Sequence, residues 1–432
     1  MSILIKNASI LSMQQEQNGS LKPIFSADIM IKDDKIFSLG KVDNESEYDK
    51  IIDGSHLLAM PGLINTHGHA AMSLFRGYGD DMQLMDWLTT RVWPAEAKLT
   101  ASDIAKGTLL AIVEMLKSGT TAFADMYFYM NDVAEVVVQS GMRASLSEGL
   151  IAPGAGQHDK LDDFPAFWQK WQGAADGLIT VMLGPHAPYT CNPDYLKRTI
   201  AMAKKYAAPI HIHLAETQTE VAQIEELYQR RPVQLMAEIG LFEDNKVLAA
   251  HGVFIDDDEI KLLLGHDISI AYNPRSNMKL GSGIAPVAKL LEHGINVSIG
   301  TDSACSNNNL DMFQEMRTAA LLAKVSNADP TVLPAGQALL MATLNGAKAL
   351  GYEDVGVLKE GMKADLILLN LDQPHLMPPN DLISHLVYAA SGADVDSVII
   401  NGRLLMEKRQ LLYLDAEKIM ADASVIAKRI CS

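Results

Sequence analysis

The chain has few cysteines, few aromatic residues and no excess of positive charge. Its 432 residues include 3 cysteines, which lack the Cys-X-X-Cys spacing of thiolate zinc sites and redox pairs. This scarcity excludes a disulfide framework and indicates reduced thiols in a cytoplasmic protein. The three cysteines are Cys191, Cys305 and Cys431.

Long apolar segments and basic segments are also missing. No run reaches the ~20 apolar residues of a membrane span, and the N-terminus lacks the features of a signal peptide. The formal net charge is -17, and no run of Lys and Arg offers a patch for a polyanion. We therefore expect a soluble protein that acts on a small molecule, with neither a nucleic acid nor a membrane as partner.

Short strands with alternating polarity are typical of both ends of the chain. Such strands occur at residues 27–32 and 35–39, and again at residues 361–369 and 398–403. We predict that residues 1–58 and 355–432 pair into one small, discontinuous β-sandwich domain. The remaining residues, 59–354, then form a separate and larger domain.

Short apolar strands separated by helical patterns fill this larger domain, which indicates βα units and a parallel sheet. Eight such strands predict an α/β fold of the (β/α)₈ TIM-barrel type. The predicted strands are residues 63–66, 121–125, 143–149, 179–184, 209–213, 246–251, 268–272 and 296–300.

Each predicted strand is followed by a side chain that can ligate a metal, titrate or donate a hydrogen bond. In barrels of this type the carboxyl ends of the strands build the active site, so the pattern predicts an enzyme. The residues are His67 and His69, Asp125, Glu148, His186, His213 and Glu216, His251, Asn273, and Asp302.

The segment His67-Gly-His69 places two imidazoles two residues apart, so both point the same way on an extended chain. With His213 and Asp302 they form a ligand set that suits Zn²⁺ best, with Fe²⁺ or Mn²⁺ as alternatives, and leaves one position open for water. A bound divalent ion lowers the pKa of water from ~15.7 toward ~7 and so supplies a nucleophile. Because no lysine ends the fourth strand to bridge two ions, we expect one metal.

Three residues near this site suit proton transfer. Asp302 lies beside the water and can accept its proton, while Glu216 can carry a proton from water to a leaving group. Glu216 has the alternative role of a helix N-terminal acid. His251 is placed to orient the water or polarise the attacked bond, or else is a buried histidine bonded to a carbonyl. We expect His211 to be structural and His186 to contact substrate.

The chain resembles the amidohydrolase superfamily, and within it the methylthioadenosine/S-adenosylhomocysteine deaminase group, over nearly its whole length. The segments that carry the resemblance are PGLINTHGHA (61–70), LFRGYGDD (74–81), WPAEA (93–97), GPHAPYT (184–190), HIHLAET (211–217), NPRSNMKLGS (273–282), GTDS (300–303), NNNLDM (307–312) and GMKAD (361–365).

This resemblance implies a barrel flanked by a β-sandwich and hydrolytic deamination at C6 of an adenine ring, with ammonia and an inosine-type nucleoside as products. The implied substrates are adenosine, 5′-deoxyadenosine, 5′-methylthioadenosine and S-adenosylhomocysteine. Glu96 matches the glutamate that holds the ribose hydroxyls, for which a carboxylate facing a cis-diol is apt; otherwise it is an exposed helix glutamate. His186 matches a histidine that contacts the nucleoside, and self-association is expected by analogy.

One position departs from the group. Its members commonly carry an arginine where this chain has Glu148, and an arginine there suits a substrate carboxylate. A glutamate at that place repels a carboxylate by about a kcal/mol or more, unless Lys160 from the following loop compensates. We therefore expect uncharged 5′ groups to be preferred over S-adenosylhomocysteine. The alternative is that Glu148 points into the helix layer and touches no substrate.

Two other interpretations remain open from the sequence. The first is the same scaffold with another substrate: a guanine, pterin or cytosine-type deaminase, or a triazine chlorohydrolase. The second is a non-catalytic scaffold protein, for which loss of the metal ligands is the expected sign. None of the ligand-type residues is missing, which argues against a non-catalytic scaffold. The segment Trp93-Pro-Ala-Glu96 favours a substrate that carries a ribose, so the adenosine-type deaminase is the main hypothesis.

Overall fold

The computed structural model describes residues 2–42, 44–82 and 84–431. Its strands are β1 (Ser2–Ile10), β2 (Phe25–Lys32), β3 (Lys35–Gly40), β4 (Lys50–Asp53), β5 (Leu57–Pro61), β6 (Leu63–Asn65), β7 (Thr120–Tyr127), β8 (Arg143–Leu150), β9 (Ile179–Val181), β10 (Gly184–Pro185), β11 (Ile210–Leu214), β12 (Val247–His251), β13 (Ile268–Tyr272), β14 (Asn296–Ile299), β15 (Leu366–Asn370), β16 (Val395–Ile400), β17 (Arg403–Glu407) and β18 (Gln410–Leu411).

The α-helices are α1 (Leu84–Trp87), α2 (Trp93–Glu96), α3 (Ala101–Lys117), α4 (Met130–Ser140), α5 (Phe164–Trp171), α6 (Ala174–Gly177), α7 (Pro193–Tyr206), α8 (Gln218–Tyr228), α9 (Pro232–Glu238), α10 (Asp257–Leu263), α11 (Pro274–Lys279), α12 (Val287–Glu292), α13 (Met312–Asn327), α14 (Ala335–Met341), α15 (Leu344–Leu350), α16 (Leu382–Tyr388) and α17 (Ala416–Ile430). A π-helical turn, Leu88–Val92, joins α1 to α2.

Strands β6 to β14 form a ring of parallel strands. Strands β6, β7 and β8 pair in order with β9 and β10 on the far side of β8, and β11 to β14 pair in order. The two sheets meet at a bridge between Leu183 and Ile210 and at the Thr66 amide, which donates to Ile299 O at 3.1 Å. The predicted TIM-type barrel is confirmed, and β9 and β10 together occupy its fourth strand position.

The side-chain order of β11 shows how the sequence directs residues into the barrel or away from it. Its sequence alternates Ile210-His-Ile-His-Leu214, and successive side chains of a strand point to opposite faces. The three aliphatic residues join the large core between strands and helices. His211 and His213 point to the barrel interior, so two imidazoles stand one above the other.

Strands from both ends of the chain form a separate, mixed sheet of nine strands among the described residues. Strand β15 pairs antiparallel with β5, and β1 lies on the other side of β5. Alternate residues of these strands serve two cores: Leu58 and Met60 pack toward the barrel, whereas Ala59 and Leu366 belong to a separate core within the sheet domain. One small β domain built from both termini is therefore present, and its boundaries at residues 58/59 and 354/355 stay predictions.

A buried ion pair joins the two parts. Arg143 at the start of β8 donates from Nε to Asp365 Oδ2 at 2.6 Å and from Nη2 to Oδ1 at 3.0 Å. The two side chains are 2% and 3% exposed. Within the described ranges, no helix is both long enough and apolar enough to cross a membrane.

Candidate active site

The carboxyl ends of the barrel strands bring the predicted metal ligands together. Nε2 of His69 lies 3.3 Å from Asp302 Oδ1 and 3.3 Å from His213 Nε2, and His67 Nε2 lies 3.6 Å from the same oxygen. His251 completes the cluster, since its ligand atom lies within 4.8 Å of those of His67 and His213. The four ligands predicted from sequence thus meet at one point, with His251 beside them.

Hydrogen bonds behind the imidazoles determine which nitrogen faces the centre. Nδ1 of His69 bonds to Met126 O at 2.6 Å, and Nδ1 of His213 bonds to His186 O at 2.7 Å. Because a carbonyl only accepts, both Nδ1 atoms carry the proton and both Nε2 atoms present lone pairs. Two such lone pairs 3.3 Å apart repel each other unless a cation lies between them.

His67 is oriented in the same manner by another histidine. Its Nδ1 lies 2.8 Å from Nε2 of His211, and burial lowers the pKa of His67 to about 4 and that of His211 well below the usual value. Both rings are therefore neutral, and one proton is shared between the facing nitrogens. Nε2 of His67 is buried and has no hydrogen-bond partner in the described part of the chain.

These residues fit a divalent metal ion. The unpartnered Nε2 of His67 and the facing lone pairs of His69 and His213 are acceptors that need a cation. Two ligands held ~2.0–2.1 Å from a tetrahedral Zn²⁺ lie roughly 3.3 Å apart, which is the separation seen here. Although burial opposes it, the bond to Asp302 raises the pKa of His69 to about 9, so without a metal ion a proton on Nε2 of His69 takes the place of the cation between these groups.

Asp302 is fixed by several donors. Its Oδ2 accepts from Ser276 Oγ at 2.5 Å and from Ser306 Oγ at 3.0 Å, and its Oδ1 accepts from the Ser303 amide at 2.7 Å. Its backbone is left-handed, with φ 61, as is that of His251, with φ 76. Such strain costs about 1–3 kcal/mol per residue and is found where a functional group must be aimed.

Glu216 and His251 lie together at one side of the ligands. Oε2 of Glu216 is 3.8 Å from His251 Nε2, and burial raises the pKa of Glu216 to about 8, so its carboxyl holds a proton at neutral pH. Asn277 Nδ2 lies 2.9 Å from His251 Nδ1 and can donate to it. With that donation, the neutral His251 ring carries its proton on Nε2 and presents a donor to the site.

A cavity of about 950 Å³, including its open mouth, lies above these groups. His69, His186, His213, Glu216, His251 and Asp302 form its floor and sides together with Glu96. Most of the remaining wall is apolar and aromatic, and the described residues that line it include neither Lys nor Arg. The other lining residues are Met72, Trp87, Leu88, Val92, Trp93, Met126, Tyr127, Phe128, Gly149, Ile151, Tyr189, Thr190, Leu280, Ser303 and Ser306.

Glu96 and His186, predicted from the resemblance as substrate contacts, both line this cavity. Oε1 of Glu96 accepts from the Tyr127 hydroxyl at 2.5 Å, and burial raises the pKa of Glu96. His186 bonds through Nδ1 to Thr190 Oγ1 at 2.9 Å. Burial lowers the pKa of His186 to about 4, so its ring is neutral.

Glu148 does not lie where the sequence predicted. It is absent from the described residues of the cavity wall, because on β8 Ser147 points to His211 inside the barrel and the next side chain, Glu148, points to the opposite face, toward the start of α4. There it pairs with Lys160 and accepts from the Met130 amide at 3.2 Å. The expectation that Glu148 faces a substrate carboxylate is corrected; Lys160 neutralises it instead, one layer behind the wall.

Several site residues were not singled out from sequence. Trp87 and Trp93 come from short helical segments, and Tyr127 comes from the last position of β7. Ser276 and Ser306 both donate to Oδ2 of Asp302 and so orient this predicted ligand. The signal for the serines was their place in the segments that follow β13 and β14, whose strand ends carry Asn273 and Asp302.

The chain belongs to the amidohydrolase family, whose sequence model matches residues 58–405. This family membership confirms the resemblance seen in the motifs. A 5-methylthioadenosine/S-adenosylhomocysteine deaminase from Pelotomaculum thermopropionicum is 52% identical over 432 residues, which cover 99% of both chains. A 5′-deoxyadenosine deaminase from Methanosarcina barkeri is 51% identical over 99% of this chain and 98% of its own.

A solved structure shares the fold. The crystal structure of an adenosine deaminase from Xanthomonas campestris with bound zinc superimposes with a TM-score of 0.93 at 34% identity, covering 99% of this chain and 98% of that one. The barrel with its flanking sheet domain is thus the architecture of an amidohydrolase.

Proposed function

We propose that the protein is a metal-dependent hydrolase that removes the 6-amino group of adenosine-type nucleosides as ammonia. The observation that carries this is the pair of facing Nε2 lone pairs at 3.3 Å, beside a protonated carboxyl and beneath an apolar cavity. The named activities of the two relatives and of the structural neighbour support the substrate class.

We assign the metal to His67, His69, His213 and Asp302, with Zn²⁺ as the preferred ion. A bound ion would supply an activated water, in keeping with the zinc in the neighbouring structure. The remaining chemistry belongs to side chains of this chain. Asp302 accepts one proton of the water and passes it to the leaving amino group, which departs as ammonia.

Glu216 donates its proton to the ring nitrogen next to the attacked carbon, where electron density accumulates as water adds. It recovers a proton from the new hydroxyl group as the product carbonyl forms, so protons balance over one turnover. His251 directs its Nε2 proton toward the attacking oxygen and holds it in place. His186 and Glu96 hold the nucleoside from the cavity wall.

The wall also favours particular 5′ groups. Trp87, Val92, Trp93 and Ile151 are apolar, and the lining residues within the described ranges provide no cation for a carboxylate. Lys160 is committed to Glu148. We propose that uncharged 5′ substituents, as in 5′-deoxyadenosine and 5′-methylthioadenosine, are preferred over S-adenosylhomocysteine.

The test is ammonia release by metal-replete enzyme from adenosine-type nucleosides and from free bases. We expect release from nucleosides and about 10²–10⁴-fold lower kcat for Glu216→Gln, because a proton donor is lost. Metal content should be unchanged in that variant, and the exposed Glu225→Gln on α8, the helix that follows Glu216, should behave as the parent. Release from guanine or cytosine but from no nucleoside would contradict the proposal.

A further inference from the structure

We infer that Tyr127 positions Glu96, so that the vicinal hydroxyls of a sugar are recognised by the Tyr127–Glu96 pair and not by an independent carboxylate. This inference rests on the proposed function, because it names how the same cavity selects its substrate. Tyr127 is a positioning residue in this account: its effect on the sugar passes through Glu96.

The contact between the two side chains joins separate parts of the molecule. The Tyr127 hydroxyl donates to Glu96 Oε1 at 2.5 Å, and both residues line the cavity. Tyr127 is 4% exposed at the end of β7, a strand buried along its whole length. Glu96 ends α2, a helix of four residues that follows the π-helical turn. A four-residue helix has little stability of its own, so Glu96 depends on this contact with the barrel.

The chemistry of the pair suits a diol. The hydroxyls of a cis-diol both donate toward a carboxylate, which must be ionised and must keep lone pairs free. Burial raises the pKa of Glu96, and the hydrogen bond from Tyr127 opposes that rise. Burial also raises the pKa of Tyr127 well above its usual value, so the phenol keeps its proton and stays a donor.

The same strand connects the sugar site to the metal ligands. Met126 O accepts from Nδ1 of His69, and the next residue, Tyr127, holds Glu96. Two neighbouring residues of β7 therefore fix the carboxylate that holds the sugar relative to a ligand of the reactive centre. A nucleoside bound by its diol would present its base at a defined distance from that ligand.

The experiment compares adenosine with 2′,3′-dideoxyadenosine for the parent enzyme and for Tyr127→Phe. Phenylalanine keeps the ring that packs 4.9 Å from Phe128 and removes the hydroxyl alone. We expect KM for adenosine to rise by about 10-fold, the value of a hydrogen bond to a charged group. The kcat and the KM for the dideoxynucleoside should stay within about threefold of the parent, because this nucleoside has no vicinal hydroxyls for Glu96 to hold.

Two further variants make the comparison specific. In the Glu96→Gln background, loss of the Tyr127 hydroxyl should change the KM for adenosine by less than about threefold, because coupled residues are not additive. The matched control is Tyr195→Phe, which removes another tyrosine–carboxylate bond, to Asp159 Oδ1 at 3.1 Å, outside the cavity. It should alter neither nucleoside's KM.

The outcomes separate the two proposals. If the parent enzyme releases no ammonia from any nucleoside, the proposed function fails. If it is active but Tyr127→Phe changes both nucleosides equally, or changes neither, the pairing of Tyr127 with Glu96 is wrong. Should Tyr127→Phe not fold, Glu96→Gln alone decides: the preference for adenosine over the dideoxynucleoside must fall, and its full retention overturns the inference.

Discussion

At the scale of single residues, each role in the site follows from which atoms are already bonded within the protein. His69 and His213 donate hydrogen bonds from Nδ1 to carbonyls and so direct Nε2 to the centre, where a cation can bind. Nδ1 of His251 instead accepts from Asn277, so its Nε2 carries a proton and is a donor. Glu216 keeps its proton through burial. Hydrogen bonds and burial therefore determine which of these side chains acts as a metal ligand, which as a hydrogen-bond donor and which as an acid.

Glu148 allows a test of how charge behind the cavity wall affects selectivity. Its partner Lys160 lies with Nζ 4.8 Å from the centre of the Phe128 ring, which lines the cavity. In Glu148→Gln the lysine charge is no longer neutralised, so kcat/KM for S-adenosylhomocysteine relative to 5′-deoxyadenosine should rise by about 3–10-fold. Glu135→Gln, which frees the exposed Lys170, is the control. An unchanged ratio would show that this ion pair has no influence on the substrate.

The buried carboxyl of Glu315 should make the stability of the protein depend on pH. It is fully buried, and burial raises the pKa of this carboxyl to about 8, while Asn307 Nδ2 donates to it at 2.7 Å. The folded state holds this proton more tightly than the unfolded state does, so the stabilisation is complete below pH ~4.5 and is lost as pH rises toward ~8.

A glutamine at position 315 cannot ionise and should remove this dependence. The thermal unfolding midpoint of Glu315→Gln, relative to that of the parent, should therefore rise between pH 5 and 8. The corresponding difference in unfolding free energy grows by roughly 1 kcal/mol per pH unit. Thermal unfolding across that range measures it, with the exposed Glu226→Gln as the control. A difference that stays constant with pH would contradict a buried neutral Glu315.

The sequence predicted which ligand-type side chains lie together better than it predicted the cavity walls. His67, His69, His213 and Asp302 follow recognisable strands, so the barrel geometry alone brings them together. The predicted position of Glu148 in the cavity wall was wrong because side-chain direction depends on strand register. A shift of one residue moves a side chain to the opposite face of the strand. Tyr127 was missed because its partner Glu96 lies on a segment whose path the sequence does not reveal.

At the scale of elements, one wall of the cavity is formed by Trp87, Leu88, Val92, Trp93 and Glu96. The described residues 76–82, which precede them in the sequence, are held by a polar cluster. Lys279 Nζ donates to Asp80 Oδ1 at 2.6 Å and to Cys305 O at 2.9 Å, and Asn308 Nδ2 donates to Asp80 Oδ2 at 2.9 Å. The end of α11 and the loop that follows β14 thus contact Asp80, which precedes Trp87, Trp93 and Glu96 in the sequence.

Removing the Lys279 charge should loosen that wall. For Lys279→Gln we expect KM for nucleosides to rise by about 5–10-fold and proteolysis within residues 76–96 to become faster, because partly buried charged hydrogen bonds are lost. Lys289→Gln, which breaks the exposed pair with Asp257 at 2.7 Å, is the control. If KM and the cleavage rate match the parent, the polar cluster does not hold the wall.

The elements themselves differ in how far the sequence predicted them. The eight predicted barrel strands correspond to observed ones because apolar runs bounded by helical patterns give a strong signal. The fourth is interrupted at Met182 and Leu183, where Leu183 bridges to Ile210 of β11 before β10 pairs with β8 again. The helices α1 and α2 have four residues each, and packing rather than local propensity stabilises such short turns.

At the scale of the whole molecule, the barrel and the sheet domain are joined through the buried Arg143–Asp365 pair. Asp365 Oδ1 also accepts from the Asn401 amide at 2.7 Å, so the carboxylate binds both a barrel strand and the sheet domain. From the sequence, Asp365 was noted only as the last residue of the segment Gly361-Met-Lys-Ala-Asp365, which contributes to the family resemblance. Its role as a joint depends on long-range contact that no local pattern encodes.

Breaking this pair should destabilise the molecule without altering its chemistry. Asp365→Asn leaves a buried guanidinium uncompensated, which costs about 3–5 kcal/mol. The unfolding free energy should fall by that amount, while kcat per folded, metal-loaded molecule stays unchanged. Asp372→Asn, which affects only the exposed contact with His56 at 3.2 Å, is the control. A loss below about 1 kcal/mol would show that the joint does not depend on the ion pair.

The central claim is that one metal ion, held by these histidines and Asp302, serves hydrolytic deamination of an adenosine-type nucleoside. The most direct measurement reconstitutes the metal-free protein with Zn²⁺ and follows the conversion of 5′-deoxyadenosine. We predict that the rate rises with bound zinc and saturates at about one ion per chain, with ammonia and the inosine-type product formed in equal amounts. Full activity in the metal-free protein, or zinc binding at one per chain with no ammonia formed, would contradict the account.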